Sequence, residues 1–212
     1  MKINTPRGLR RRRVSLSAVG AAIVLALSAT SASAAELSVD YDVNGTTRIA
    51  STGSTITLGP AVLHSTIDEV GAFTGNMALP GTRTEFKLLG FIPVTADVYF
   101  EPVGPTTGEL TRVGRTQVLR SVSKYHVRLR NIKASIFPLF AGPLCRTKDP
   151  VVIPADTPAG EYFDVGVGGR GTGTYTIGDF QHCGLNTGLI NSIIPGSGNT
   201  IDLNLTNGRI VG

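Results

Sequence analysis

The feature that most constrains this chain is a two-residue rhythm of apolar and polar side chains. In Thr200-Ile201-Asp202-Leu203-Asn204-Leu205 the alternation is strict. Thr55-Ile56-Thr57-Leu58 keeps it, and Ala96-Asp97-Val98-Tyr99-Phe100 keeps it in part. Successive side chains of a β-strand point to opposite faces, so each run describes a strand with one face in a core. Glycine and proline interrupt the runs about every eight to twelve residues, the spacing of a sandwich or barrel. The pattern therefore predicts an all-β domain, an antiparallel β-sandwich with a β-barrel as the alternative. Two Asn-Gly pairs, Asn44-Gly45 and Asn207-Gly208, carry the turn chemistry of hairpins. The first would divide a strand at 37–43 from one at 46–50, and the second would follow the last strand.

One segment departs from this rhythm. Between Gly184 and Ile194 the apolar residues are Leu185, Leu189, Ile190, Ile193 and Ile194, which share one face of a helix. Pro195-Gly196 then stops it. The expectation is one short amphipathic helix near 185–194, capping one opening of the β core.

The N-terminus reads as an export signal. Lys2, Arg7 and Arg10 to Arg13 precede an apolar or small stretch from Val14 to Ala29, and Ala32-x-Ala34 fits a small-residue cleavage site. The stretch is too rich in Ala and Ser for a membrane helix of about 20 strongly apolar residues. Residues 1–34 are thus expected to be a cleaved signal peptide, and 35–212 a single all-β domain. Arg12-Arg13-Val14-Ser15-Leu16 fits the twin-arginine signal only in part, which favours the general export route. The mature product is expected outside the cytoplasm, soluble or loosely held at the cell wall, with no transmembrane span.

Export changes the meaning of the charge. The whole chain carries a formal +5, but residues 1–34 hold six of its 20 basic residues and none of its 15 acidic ones. Without them 14 cations face 15 anions, and the basic excess that could suggest nucleic acid disappears. The remaining charge is uneven: residues 36–111 carry 3 basic and 9 acidic groups, residues 112–148 carry 9 basic and no acidic ones. Within that band Lys124, His126, Arg128 and Arg130 alternate with Tyr125, Val127 and Leu129. On a strand the cations share a face and could bind an anionic cell-wall polymer. They could equally pair with acids of a neighbouring strand, for which Asp97, Glu101 and Glu109 are placed to serve.

The two cysteines, Cys145 and Cys183, read as a disulfide in an exported protein. Other chemistry is thinly represented. Asp40-x-Asp42-x-Asn44-Gly45 copies half of a calcium loop, but Ser51 stands where a bidentate Glu is needed. Gly166-x-Gly168-Gly169-x-Gly171 matches a dinucleotide fingerprint, but Thr172-Gly173-Thr174-Tyr175 continues as strand where a helix is required. Three histidines, His64, His126 and His182, and no Gly-x-Ser-x-Gly elbow give little support to a hydrolase. No catalytic residue, metal or cofactor is expected. Two loops are unusually apolar, Leu88 to Pro93 and Ile136 to Phe140. With the helix they could line a pocket for a lipid or other apolar small molecule, through Leu89, Phe91, Phe137, Phe140, Leu189 and Ile193; alternatively they are ordinary core.

Several stretches resemble small secreted proteins of actinobacteria: Cys145-Arg146-Thr147 with Pro150-Val151, Cys183-Gly184-Leu185-Asn186, Leu189-Ile190-Asn191, Pro195 to Thr200, and Phe86 to Phe100. The resemblance spans most of the mature chain and implies an exported all-β domain with the two cysteines bridged. Its motifs are structural, the family carries no assigned activity, and it transfers no catalytic residue. The expected function is a non-enzymatic interaction module of the cell exterior or envelope. A carrier of an apolar molecule is the alternative, and a secreted hydrolase the third reading.

Overall fold

A computed structural model describes residues 36–88 and 91–211. The expected signal peptide, and Leu89, lie outside the described residues. Residues 34–212 form one compact unit. Its strands are β1 (Leu37–Ile49), β2 (Ser54–Ile67), β3 (Ala72–Met77), β4 (Thr82–Leu88), β5 (Ile92–Pro102), β6 (Thr106–Val113) and β7 (Thr116–Ala134). The two-residue β8 (Phe137–Pro138) and β9 (Arg146–Thr147) follow, then β10 (Val151–Pro154), β11 (Gly169–Ile177), β12 (Phe180–Gln181) and β13 (Gly196–Val211). All pairings between strands are antiparallel, in the order β11-β13-β1-β2-β3-β6-β7-β5-β4, with β8, β9 and β10 on β7.

The result is the expected antiparallel sandwich. Strands β5 and β6 run end to end along β7: Pro102 faces Tyr125 and Thr107 faces Val122, so residues 92–134 form one long hairpin with its tip at Val113–Thr116. The inward side chains of this layer, among them Val98, Leu119, Val127 and Leu129, meet Val43, Ile56, Leu203 and Leu205 from β1, β2 and β13 in one core. The layers are joined at one edge by β3 and at the other by the bridge between Asp156 and Thr172. Tyr41 crosses the interior, donating to the Val165 carbonyl at 2.7 Å and meeting Phe163 edge to face at 5.6 Å. Burial pushes its phenol pKa up, and the charge of Asp164 adds to this.

The alternating segments are strands as expected. In β13 Ile201, Leu203 and Leu205 are buried, with Thr200 and Asn204 exposed. The Asn-Gly pairs are not turns. Strand β1 runs straight through Asn44-Gly45, and its pairing with β2 slips by one residue between Val43 and Gly45. Asn207-Gly208 likewise lies inside β13, where the register with β1 shifts between Asp40 and Asp42. Asn207-Gly208 is a β-bulge, two residues facing Tyr41 alone, whereas Asn44 is the single residue facing a bulge at Gly59-Pro60 on β2; such bulges bend and twist the strands of a sandwich joined at both edges. Gly45 is needed for space: a Cβ there would run into the carbonyl of Asp202.

The helical segment is shorter than its pattern. A 3-10 turn at Gly184–Asn186 leads into a single α turn, α1 (Thr187–Asn191). Only Ile190 of α1 is fully buried, and Leu185 lies wholly in solvent. Asn191 fastens α1 to β12, accepting from the Phe180 N–H at 2.7 Å and donating to its carbonyl at 3.0 Å. Cys183, just before the 3-10 turn, is bridged to Cys145, and both are completely buried. A disulfide is compatible with an extracellular location.

Candidate functional site

Strand β7 carries the basic row, and its alternation is realised. Tyr125, Val127 and Leu129 are buried, while Lys124 and Arg130 face solvent and His126 and Arg128 are half-buried. The register then decides which charges remain available. Glu101 on β5 sits opposite His126. It receives Arg128 at 2.8 Å and Arg146 at 3.3 Å. Burial raises its pKa, but the hydrogen bonds from both arginines outweigh this and hold the carboxyl below the usual range. Arg128 also donates to the Pro143 carbonyl through Nε and Nη2. Nδ1 of His126 lies 3.0 Å from the Thr147 carbonyl. Arg130 stands opposite Asp97 and lies over the Tyr99 ring, 5.6 Å from its centre. Two of the four predicted cationic positions, His126 and Arg128, are thus built into the fold.

Lys124 differs from these. Its side chain has no hydrogen bond or ion pair among the described residues, and it stands at the rim of a surface cleft of about 410 Å³. The cleft exists because the long β5–β6 strand is interrupted at Pro102-Val103-Gly104-Pro105. Two prolines remove ladder donors there, and β3 has by then left the sheet edge. Met77, Pro105 and Tyr125 line it, with His64, Asn76 and Lys124. His64 meets Asp40 at 2.8 Å, a pair formed across β1 and β2. Among the described residues no serine, threonine or cysteine is hydrogen-bonded to that imidazole. Thr106 and Ser123, also in the lining, bond to each other at 2.7 Å. The double-proline interruption was the signal in the sequence that could have located the cleft; the Asp40–His64 pairing left none.

The half calcium loop is used otherwise. Asp42 binds Arg209 at 2.8 Å and Asn207 at 2.9 Å, so it clamps the β13 bulge, and Asp40 is engaged with His64. No cluster of metal-ligating side chains occurs among the described residues. The glycine-rich run opens β11 after a tight turn in which Asp164 accepts from the N–H groups of Gly166 and Val167. Close approach accounts for its continuation, since a Cβ on Gly173 would collide with the Pro154 carbonyl.

The residues expected to line an apolar pocket lie elsewhere. Phe91, Phe137, Phe140 and Leu189 are exposed, and Ile193 is half-buried. None of them lines the spaces between the layers, which measure about 30, 30 and 40 Å³. Each such space would hold a water or two, far below the several hundred Å³ of a ligand pocket. Ser121, Ser123 and Tyr125 face these spaces within an otherwise apolar core. Burial pushes the Tyr125 phenol up to about 12, so it stays a hydrogen-bond donor, to the Met77 carbonyl at 3.2 Å.

No family model, curated protein or solved structure matches this chain. No helix among the described residues is long and apolar enough to cross a membrane.

Proposed function

We propose that this protein is a secreted, non-enzymatic interaction module that adheres to an anionic cell-wall polymer through the outward cations of β7. The observation that carries the reading is the excess of cations over acids on that strand's outer face, where Glu109 and Asp97 stand opposite Arg120 and Arg130 and Lys124 and Lys133 face no acid. Residues 112–148 hold nine cations and no acid, and Glu101 is already engaged by Arg128 and Arg146. Lys124, at the cleft, and Arg130, flanked by Arg120 and Lys133 along the same strand, remain for a partner. Such a row suits a flexible chain of phosphates, which gains from several charges at once and needs no enclosed pocket. A packed interior supports an interaction surface over a carrier. The export signal and the likeness to secreted actinobacterial proteins agree with this location.

The test is retention on an immobilised poly(glycerol phosphate). The protein should elute at a defined salt concentration, because screening shortens the reach of exposed charges to about 8 Å at physiological ionic strength. A Lys124→Gln, Arg130→Gln variant should elute at lower salt. Retention independent of salt, or unaltered in that variant, would overturn the proposal.

A further inference from the structure

The apolar residues that line no interior space gather at one end of the sandwich. The start of β5 and the turn after β7 lie side by side there, since Ser135 donates to the Pro93 carbonyl at 2.7 Å and Ala134 pairs with both Val94 and Phe137. The 3-10 turn adjoins them through Asn186, which donates to the Phe140 carbonyl at 3.1 Å. Phe91, Phe137 and Phe140 are 71%, 68% and 82% exposed, and Ile136 and Leu185 are still more open or comparable. A soluble surface scatters such side chains singly; a group of aromatic and aliphatic residues on adjacent loops marks a contact surface.

The charge around this end narrows the partner. The three segments that build it, residues 86–96, 129–148 and 180–201, contain five cations, Lys87, Arg130, Lys133, Arg146 and Lys148, and no aspartate or glutamate. Lys87 and Lys133 stand nearest the tip, opposite Pro93 and Thr95. Of the nearest strand carboxylates, Glu85 stands level with Lys133, both opposite Thr95, and Asp97 is set further back, opposite Arg130, where it is engaged by Asn131 at 2.6 Å; Lys87 is nearer the tip than either. Exposed phenylalanines ringed by lysines match an anionic lipid surface, whose headgroups meet the cations while the rings enter the acyl boundary. A second copy of the chain fits poorly, because joining two such ends would set like charges against each other.

We infer that this end, with Phe91, Phe137 and Phe140 at its tip and Lys87 and Lys133 behind them, docks on the surface of an anionic lipid bilayer. It shares Lys133 with the cationic face of β7 but rests on Lys87 and the three phenylalanines, which that face does not use, so the Phe→Ser changes separate the two readings. The unit from Ala34 to Gly212 should bind vesicles of phosphatidylcholine with phosphatidylglycerol, and bind phosphatidylcholine alone far more weakly. The chain has no tryptophan, so a Phe137→Trp variant reports insertion directly through a blue shift and through quenching by brominated lipid. Each Phe→Ser change should weaken vesicle binding by roughly tenfold. Lys87→Glu with Lys133→Glu should abolish the preference for anionic lipid and leave the tip apolar. All these side chains are exposed, so melting temperatures should stay near that of the parent, and retention on the phosphate polymer should survive the Phe→Ser changes. Three results would overturn the inference: no vesicle binding, binding without a tryptophan blue shift, or a concentration-dependent dimer that the serine variants abolish.

Discussion

Asn199 offers a sharp test of how the sandwich is held together. Its side chain is completely buried. Oδ1 accepts from the Ala50 N–H at 3.0 Å, and Nδ2 donates to the carbonyls of Tyr175 at 3.2 Å and Gly196 at 2.9 Å. One carboxamide therefore ties the turn after β1, the body of β11 and the start of β13. In Asn199→Ala all three bonds go. At about 1 kcal/mol net for each, the loss is about 3 kcal/mol. The Tyr175 carbonyl lies deepest and is the group least able to recruit water, so the cost could approach 5 kcal/mol, again as an order of magnitude. For a domain of this size a loss of about 3–5 kcal/mol corresponds to a fall in Tm of about 6–20 °C. Urea unfolding of the unit from Ala34 to Gly212, followed by circular dichroism, measures it. Asn199→Asp should be at least as damaging: the carboxylate keeps the acceptor for Ala50 but faces two carbonyls without a donor. Asn199→Leu, which fills the volume without polar atoms, should not recover stability. A loss under about 1 kcal/mol for alanine, or parent-like stability for leucine, refutes the argument that these hydrogen bonds matter.

Three further outcomes follow from the same structure. The Cys145–Cys183 bridge closes a loop of 38 residues, so replacing both cysteines with alanine should cost about 4 kcal/mol on the chain-entropy relation, or about 8–16 °C in Tm; a shift of only a degree or two would show that the loop is already ordered without it. Gly173→Ala forces a Cβ against the Pro154 carbonyl and should cost about 1–3 kcal/mol, whereas Gly178→Ala, where a Cβ meets nothing, should be near neutral; equal effects in urea melts would remove the close-approach argument. Acid should also destabilise the protein through Glu101, whose pKa burial raises but whose hydrogen bonds from Arg128 and Arg146 lower it overall, and through Asp202, lowered chiefly by its hydrogen bond from Arg170. Folded values below the unfolded ones, about 4.3 and 3.9, mean that this stability is complete above the unfolded pKa and lost as pH falls through the folded one. Melting temperature should therefore hold from about pH 7 to 5 and drop below about pH 4, and a Glu101→Gln, Asp202→Asn variant should show a shallower acid limb; an unchanged limb would contradict it.

Much of this protein was legible from local pattern alone. Strand positions were, because side-chain alternation is a property of adjacent residues and needs no knowledge of what the strand pairs with. The buried faces of β2, β5, β7 and β13 were readable for the same reason. The disulfide was legible from an isolated cysteine pair in a chain whose first residues read as an expected export signal. The helical stretch was legible in kind but not in length: its periodicity was real, yet only Ile190 of α1 found a place in the core, and β13 claims the chain from Gly196.

What tertiary structure decided were the matters set by partners distant in sequence. Asn-Gly has the chemistry of a turn, but Gly45 lies between β2 and β13, and paired strands on both sides hold the site in an extended strand. The basic row kept its face, but β5 brought Glu101 across 27 residues to take up Arg128. The greasy loops read as core, with a pocket as the alternative, because composition records how apolar a segment is and not whether another layer covers it. Here the two layers close on each other over small voids and leave Phe91, Phe137 and Phe140 outside. The rhythm of the chain determined that there would be a sandwich; the packing of its layers decided which cations and which phenylalanines are left for the world beyond it.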